Sequence, residues 1–144
     1  MEKLRVSSEE FLKLIQEWIV LEDRTIASAD ELIRKANNPF IKMRMEMIKH
    51  DSGKHKVMLQ WIIDNLTKEA VHLTPDEVVP LSALLFKHLE VEAKSITLAN
   101  NALKKSRLPM VRYILTALLD DETKHHAQII MLNDEVKKAT LSVT

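Results

Sequence analysis

Apolar residues recur along this chain at alternating steps of four and three, the spacing that keeps side chains on one face of a helix. The first stripe reads Phe11, Ile15, Trp18, Thr25, Ala29, Leu32 and Ala36, with Glu22 in the place of an apolar residue. The second reads Ile41, Met45, Ile48, Ser52, His55, Leu59, Ile62 and Leu66. The third is Leu81, Leu85, His88, Glu92, Ser95, Ala99 and Ala102, and the fourth is Val111, Leu115, Leu118, Glu122, His125, Ile129, Leu132 and Val136. Four amphipathic helices are predicted, each with its polar interruptions near the midpoint. The fold class expected is all-α, an antiparallel four-helix bundle.

Local signals punctuate the stripes. Ser7 with Glu10 reads as a capping box that opens the first helix near residue 8. Asn37-Asn38-Pro39 ends it and starts the second, with Asn38 as N-cap and Pro39 at the first helical position. So short a connection forces an antiparallel hairpin. Helix two runs to about Thr67. Thr74 and Glu77 form another capping box around Pro75, while Pro80 places the proper start of helix three near Leu81. Leu108-Pro109 opens helix four, and 139–144 read as a frayed tail. The expected organisation is a single domain, 1–144, of a hairpin over 8–67, a connector over 68–79 and a hairpin over 80–138. A connector of that length reaches about 40 Å when fully extended, which leaves both a crossover and an up-down-up-down arrangement open.

A shift of 70 residues lays the second half on the first. It matches Leu14 with Leu84, Glu22 with Glu92, Ile26 with Ile96, Ala29 with Ala99, Lys35 with Lys105 and Pro39 with Pro109. It also matches Asp51, Lys54 and His55 with Asp121, Lys124 and His125. The matches fall on the turn proline and the charged midpoints, so the expectation is two copies of one helical hairpin.

Composition narrows the chemistry. The chain has 144 residues with 21 basic and 21 acidic side chains, so no global field draws it to nucleic acid or an acidic membrane surface. No apolar run approaches the roughly 20 residues that span a bilayer, and Met1 to Arg5 lack a signal-peptide core, so a cytoplasmic location is expected. One glycine and four prolines argue against a sheet protein with its many turns. With no cysteine, disulfides and thiolate ligands are excluded, and only His and carboxylate remain as metal ligands.

Glu22, Ser52, His55, Glu92, Glu122 and His125 all lie near helix midpoints and are expected to meet in one layer. Three carboxylates and two imidazoles buried together are very unfavourable when bare, since each unpaired buried ion costs several kcal/mol. Protonation relieves that cost, and so does a divalent metal. Carboxylate oxygen with imidazole nitrogen suits Fe, Mn or Zn.

Asp121-Glu122-Thr123-Lys124-His125 resembles the Asp-Glu-x-Arg-His motif of the ferritin-like (rubrerythrin-like) di-iron carboxylate superfamily, with Lys in place of Arg. In that family two helices each supply a Glu and the other two each supply Glu-x-x-His. The resemblance implies Glu22, His55, Glu92, Glu122 and His125 as ligands, with Asp51 and Asp121 orienting the imidazoles. Ser52 departs from it, standing where the family has a second-helix Glu. The set is therefore asymmetric, and one metal ion rather than two is the expectation. His88, one turn before Glu92, offers partial compensation as a ligand, but its first reading is a core or hydrogen-bonded histidine. A bulge at Gly53 that turns Asp51 inward is a less favoured one. The implied function is an iron or manganese oxidoreductase or iron-handling protein. Iron is the first cofactor expected, with manganese or zinc as alternatives. The competing reading is a degenerate bundle serving as a non-catalytic structural or interaction module.

The other candidates read as structure. Met43, Met45, Met47 and Met58 suit adaptable packing. Trp18 is expected to roof the polar layer from the core. His50, His72 and His126 are expected on the surface, and Tyr113 is assigned no redox role. Leu12, Leu21, Trp61 and Leu98 are apolar but lie off the stripes, so a homo-oligomer is expected, a dimer first.

Overall fold

A computed structural model describes residues 2–68 and 74–141, and within these the side chains of all but 2–7, 75, 78, 136 and 139–141. Every element among the described residues is a helix: α1 (Glu2–Lys35), α2 (Pro39–Thr67), α3 (Pro75–Lys105) and α4 (Pro109–Leu141). α1 packs on α2 and α3 packs on α4. The chain forms two compact units, Met1–Val71 and His72–Thr144, each a hairpin of long helices. The class is all-α, as the stripes predict.

The turns hold by different local chemistry. Asn38 Oδ1 accepts the backbone N–H of Phe40 at 2.8 Å and of Ile41 at 3.3 Å, satisfying donors that α2 leaves without partners. In the second hairpin the counterpart position is Leu108, which has no side-chain acceptor. There the Arg112 guanidinium donates to the Leu103 carbonyl, and to the Ser106 carbonyl at 2.9 Å, tying α4 to the end of α3.

Three boundaries differ from expectation. α1 begins at Glu2, before residue 8, because Glu, Lys, Leu and Arg in that stretch are good helix formers and nothing there breaks a helix. The Ser7 side chain lies outside the described residues. α3 begins at Pro75 and not near Leu81. Pro75 suits a first helical position, Asp76 and Glu77 suit the positive end of the dipole, and the Thr74 N–H donates to Glu77 Oε2 at 3.3 Å. Pro80 removes one backbone bond without stopping the helix. α4 continues through 139–141, while 142–144 lie outside the described residues.

The seam inside each hairpin also differs from the predicted stripe. Along α1 and the residue after it, a four-three line of covered positions runs Leu12, Ile15, Ile19, Glu22, Ile26, Ala29, Ile33 and Ala36. Along α3 and the residue after it the line is Ser82, Leu85, Leu89, Glu92, Ile96, Ala99, Leu103 and Ser106, the same positions 70 residues on. α2 contributes Met45, Lys49, Ser52, Lys56, Leu59 and Ile63, and α4 contributes Leu115, Leu119, Glu122, His126, Ile129 and Asn133, again 70 apart. Every second seam position was anticipated. Of the alternates, Phe11, Trp18, Leu32, Ile48, Leu81, Leu118 and Leu132 are exposed, while His55, Ile62, Ser95 and Ala102 are half-buried. Each helix thus carries an apolar band wider than one seam. One flank closes the hairpin and the other stays open.

Candidate metal centre

Glu92, Glu122 and His125 come together in the α3–α4 hairpin. One ligand atom from each lies within 4.8 Å of the others. Glu92 is held by the α3 seam and is 7% exposed, Glu122 is half-buried on the α4 seam, and His125 stands on the exposed flank. The Glu-x-x-His spacing places Glu122 and His125 one turn apart on the same side of α4. His88, one turn before Glu92, donates from Nε2 to Glu92 Oε1 at 3.0 Å. The other oxygen, Oε2, is buried and has no hydrogen-bond partner.

The two carboxyls of this cluster are coupled. The Glu122 carboxyl lies against that of Glu92, and the pair contends for one proton. That contact, then burial and the Glu92 charge, push the Glu122 carboxyl up from its ordinary value. The same contact holds the Glu92 carboxyl down, and His88 and His125 reinforce this against the opposing effect of burial. A proton shared between the carboxyls is one resolution. A divalent cation among two carboxylates and an imidazole is the other, and the donor set suits it. An orphaned buried carboxylate oxygen is the feature such an ion relieves.

The counterpart cluster in the α1–α2 hairpin is resolved without a cation. Glu22 Oε1 accepts the Trp18 indole N–H at 3.1 Å and the His55 Nδ1–H at 3.3 Å. The hydroxyl of Ser52, itself buried, reaches the same carboxylate. Burial alone raises the Glu22 carboxyl, but the donations from Ser52, Trp18 and His55 outweigh it and hold the group below its ordinary value. Trp18 and Ser52 stand 70 residues before His88 and Glu122. A ligand-type His and a ligand-type Glu in one hairpin thus correspond in sequence position to two neutral donors in the other.

The remaining expected residues are placed as follows. Asp51 is half-exposed and pairs with Lys54 at 3.1 Å, not with an imidazole. α2 runs unbroken through Gly53, so no bulge turns Asp51 inward. Asp121 is exposed and acts on Glu122 only through its charge. Trp18 is 53% exposed and is no core roof, because it lies on the open flank and its indole N–H caps Glu22. Leu12 is a seam residue. His50 is exposed as expected, and His72 lies outside the described residues. His126 is half-buried, not on the surface, and its Nδ1 has no partner. The four-three count from Glu122 to Ile129 passes through either His125 or His126, and the packed flank is the one with His126. Asn133, also missed, is buried by the same register.

Comparison with protein-family models, with curated proteins and with solved structures finds no match to this chain. No helix among the described residues is long and apolar enough to cross a membrane.

Proposed function

We propose that the α3–α4 hairpin is a transition-metal-binding module of ferritin-like character, with iron as first candidate and manganese or zinc as alternatives. Glu92, Glu122 and His125 would hold one ion, and His88 is placed to join them or to steady Glu92. Two observations carry this reading: Glu92 groups with Glu122 and His125, and its Oε2 is buried without a partner. With three protein ligands, such an ion keeps open positions at which it supplies Lewis-acid or redox chemistry to a small molecule such as dioxygen or peroxide. The chain's part is to fix two carboxylates and an imidazole on rigid helices and to keep Glu92 ionised. The open apolar flanks support self-association as a dimer.

The degenerate, non-catalytic reading keeps one specific support: Glu22 is already satisfied by Trp18, Ser52 and His55, so the α1–α2 hairpin has the layer without a need for metal. Metal analysis of protein expressed with iron and manganese supplements separates the two. About one ion per chain, lost in Glu122→Ala/His125→Ala, supports the metal module. Under about 0.2 ions per chain, with no binding on titration, leaves only the structural reading.

A further inference from the structure

We propose a second binding site on the α3–α4 hairpin, a groove that takes an amphipathic carboxylate such as a medium-chain fatty acid. The groove has a volume of about 940 Å³ and is lined by Val79, Ser82, Ala83 and Phe86 with Lys87, Asn133 and Lys137. That volume lies in the range that accepts a drug-sized ligand. On α3 the lining runs from Val79 to Glu90, and the groove shares no residue with the Glu92, Glu122 and His125 cluster.

Asn133 provides the polar anchor. It is 8% exposed, it lines the groove, and its Oδ1 has no partner. A buried amide oxygen without a partner is costly, on the order of 1–3 kcal/mol. An ionised carboxylate has no proton for that oxygen, but the amide turned over presents its N–H at the same place, and that N–H donates to a carboxylate. Lys87 on α3 and Lys137 on α4 place two cations at the groove against the single anion of Glu90. Val79, Ala83 and Phe86 give the apolar surface for a chain, and Val79 and Phe86 are each more than half exposed.

The other hairpin provides an internal comparison. Seventy residues earlier, Ser82 is Leu12 and Asn133 is Ile63, while Val79, Ala83 and Phe86 are Glu9, Lys13 and Gln16. The α1–α2 hairpin therefore fills its seam with two large apolar residues and makes the adjoining surface polar. The α3–α4 hairpin reverses both choices. Seam volume is given up and apolar surface is gained at the same place, which packing alone does not reward.

The test uses the full chain and 11-(dansylamino)undecanoic acid, followed by its fluorescence. One saturable site per chain is expected. Ser82→Leu/Asn133→Ile, which installs the residues of the other hairpin, should fold and weaken binding at least tenfold. Lys87→Gln/Lys137→Gln should weaken the carboxylate several-fold and leave a matched alcohol unaffected. Asn133→Asp should reverse the preference towards a matched alkylammonium probe. Unchanged binding in the filled variant would place the probe on the open flanks and overturn the proposal. So would sedimentation showing a wild-type dimer that the filled variant turns to monomer, since a second copy would then own the groove.

Discussion

Replacing Glu122 with Gln separates charge from shape in the α3–α4 cluster. Glu122 and Glu92 present oxygens within 4.8 Å of each other. Two full charges at that distance repel by about 0.9 kcal/mol in water and about 3.5 kcal/mol at an effective dielectric of 20. Glu122 is only half-buried, so the lower figure is the better guide. Gln also brings an amide N–H to donate to Glu92. Glu122→Gln should therefore stabilise the metal-free protein at pH 7 by about 1 kcal/mol, or about 4–8 °C in the melting midpoint of a hairpin this size. The folded form raises the Glu122 carboxyl above its ordinary 4.5, so from that pH upward the folded state holds more protons and loses stability as pH rises. The advantage of Gln should vanish below pH 4.5 and grow above it. Glu92, which is held down chiefly by its contact with Glu122, moves stability the opposite way, and in the variant the Gln amide N–H takes over that donation.

Metal should invert the order. An ion at a hundred times its dissociation constant adds about 2.7 kcal/mol to the protein that binds it, and the variant has lost one ligand. Circular dichroism melts with EDTA, then with Fe(II) under argon or with Zn(II), read both halves of the claim. A Glu122→Gln protein less stable than wild type without metal at pH 7, or equally raised by metal, would refute the reasoning.

In the other hairpin, Ser52→Ala removes a donor from Glu22 and should cost about 1 kcal/mol. Because Glu22 is held below its ordinary 4.5, that loss should be full at pH 7 and fade as pH falls through the lowered value, which urea melts at pH 7 and pH 3 will show. Trp18→His/Ser52→Glu recreates the residue types of the α3–α4 cluster and should raise metal content from about one to about two ions per chain, measured by plasma emission. Leu59→Ala empties one of the few buried apolar positions and should cost about 2–4 kcal/mol in urea unfolding.

Much of the fold was legible because periodicity and turn chemistry agree. The four helices, the Asn38-Pro39 turn and the hairpin pairing follow from local signals. The choice of packed flank does not. Ile15, Glu22, Ala29 and Ala36 belong to both four-three registers of α1, and the alternates on each side are apolar: Phe11 and Trp18 on one, Leu12 and Ile19 on the other. Periodicity reports the centre of a band, and a band this wide has two edges. The site shows the same split. Glu92, Glu122 and His125 were expected and meet in one hairpin. The role of Trp18 was missed because a residue on the band reads as core, and His126 was missed because His125 beside it fits the Glu-x-x-His spacing.

Glu22 and Glu92 show how one structural position supports opposite chemistry. Both stand at a helix midpoint in a half-closed seam, and both carboxyls are held below their ordinary values. Around Glu22 the causes that lower it are donors that stay in place whatever the solution contains: an indole, a hydroxyl and an imidazole. An ion arriving there would displace hydrogen bonds already made, and Ser52 would offer it only a weak hydroxyl ligand. Around Glu92 the largest cause is another carboxyl, whose proton is exchangeable. Removing that proton leaves two anions, one with a partnerless oxygen, grouped with the His125 ring. Affinity for a cation is then set by the carboxylate that lacks a permanent donor. By that measure the α3–α4 hairpin, and not α1–α2, is the half in which the proposed metal ion would take the place of a proton.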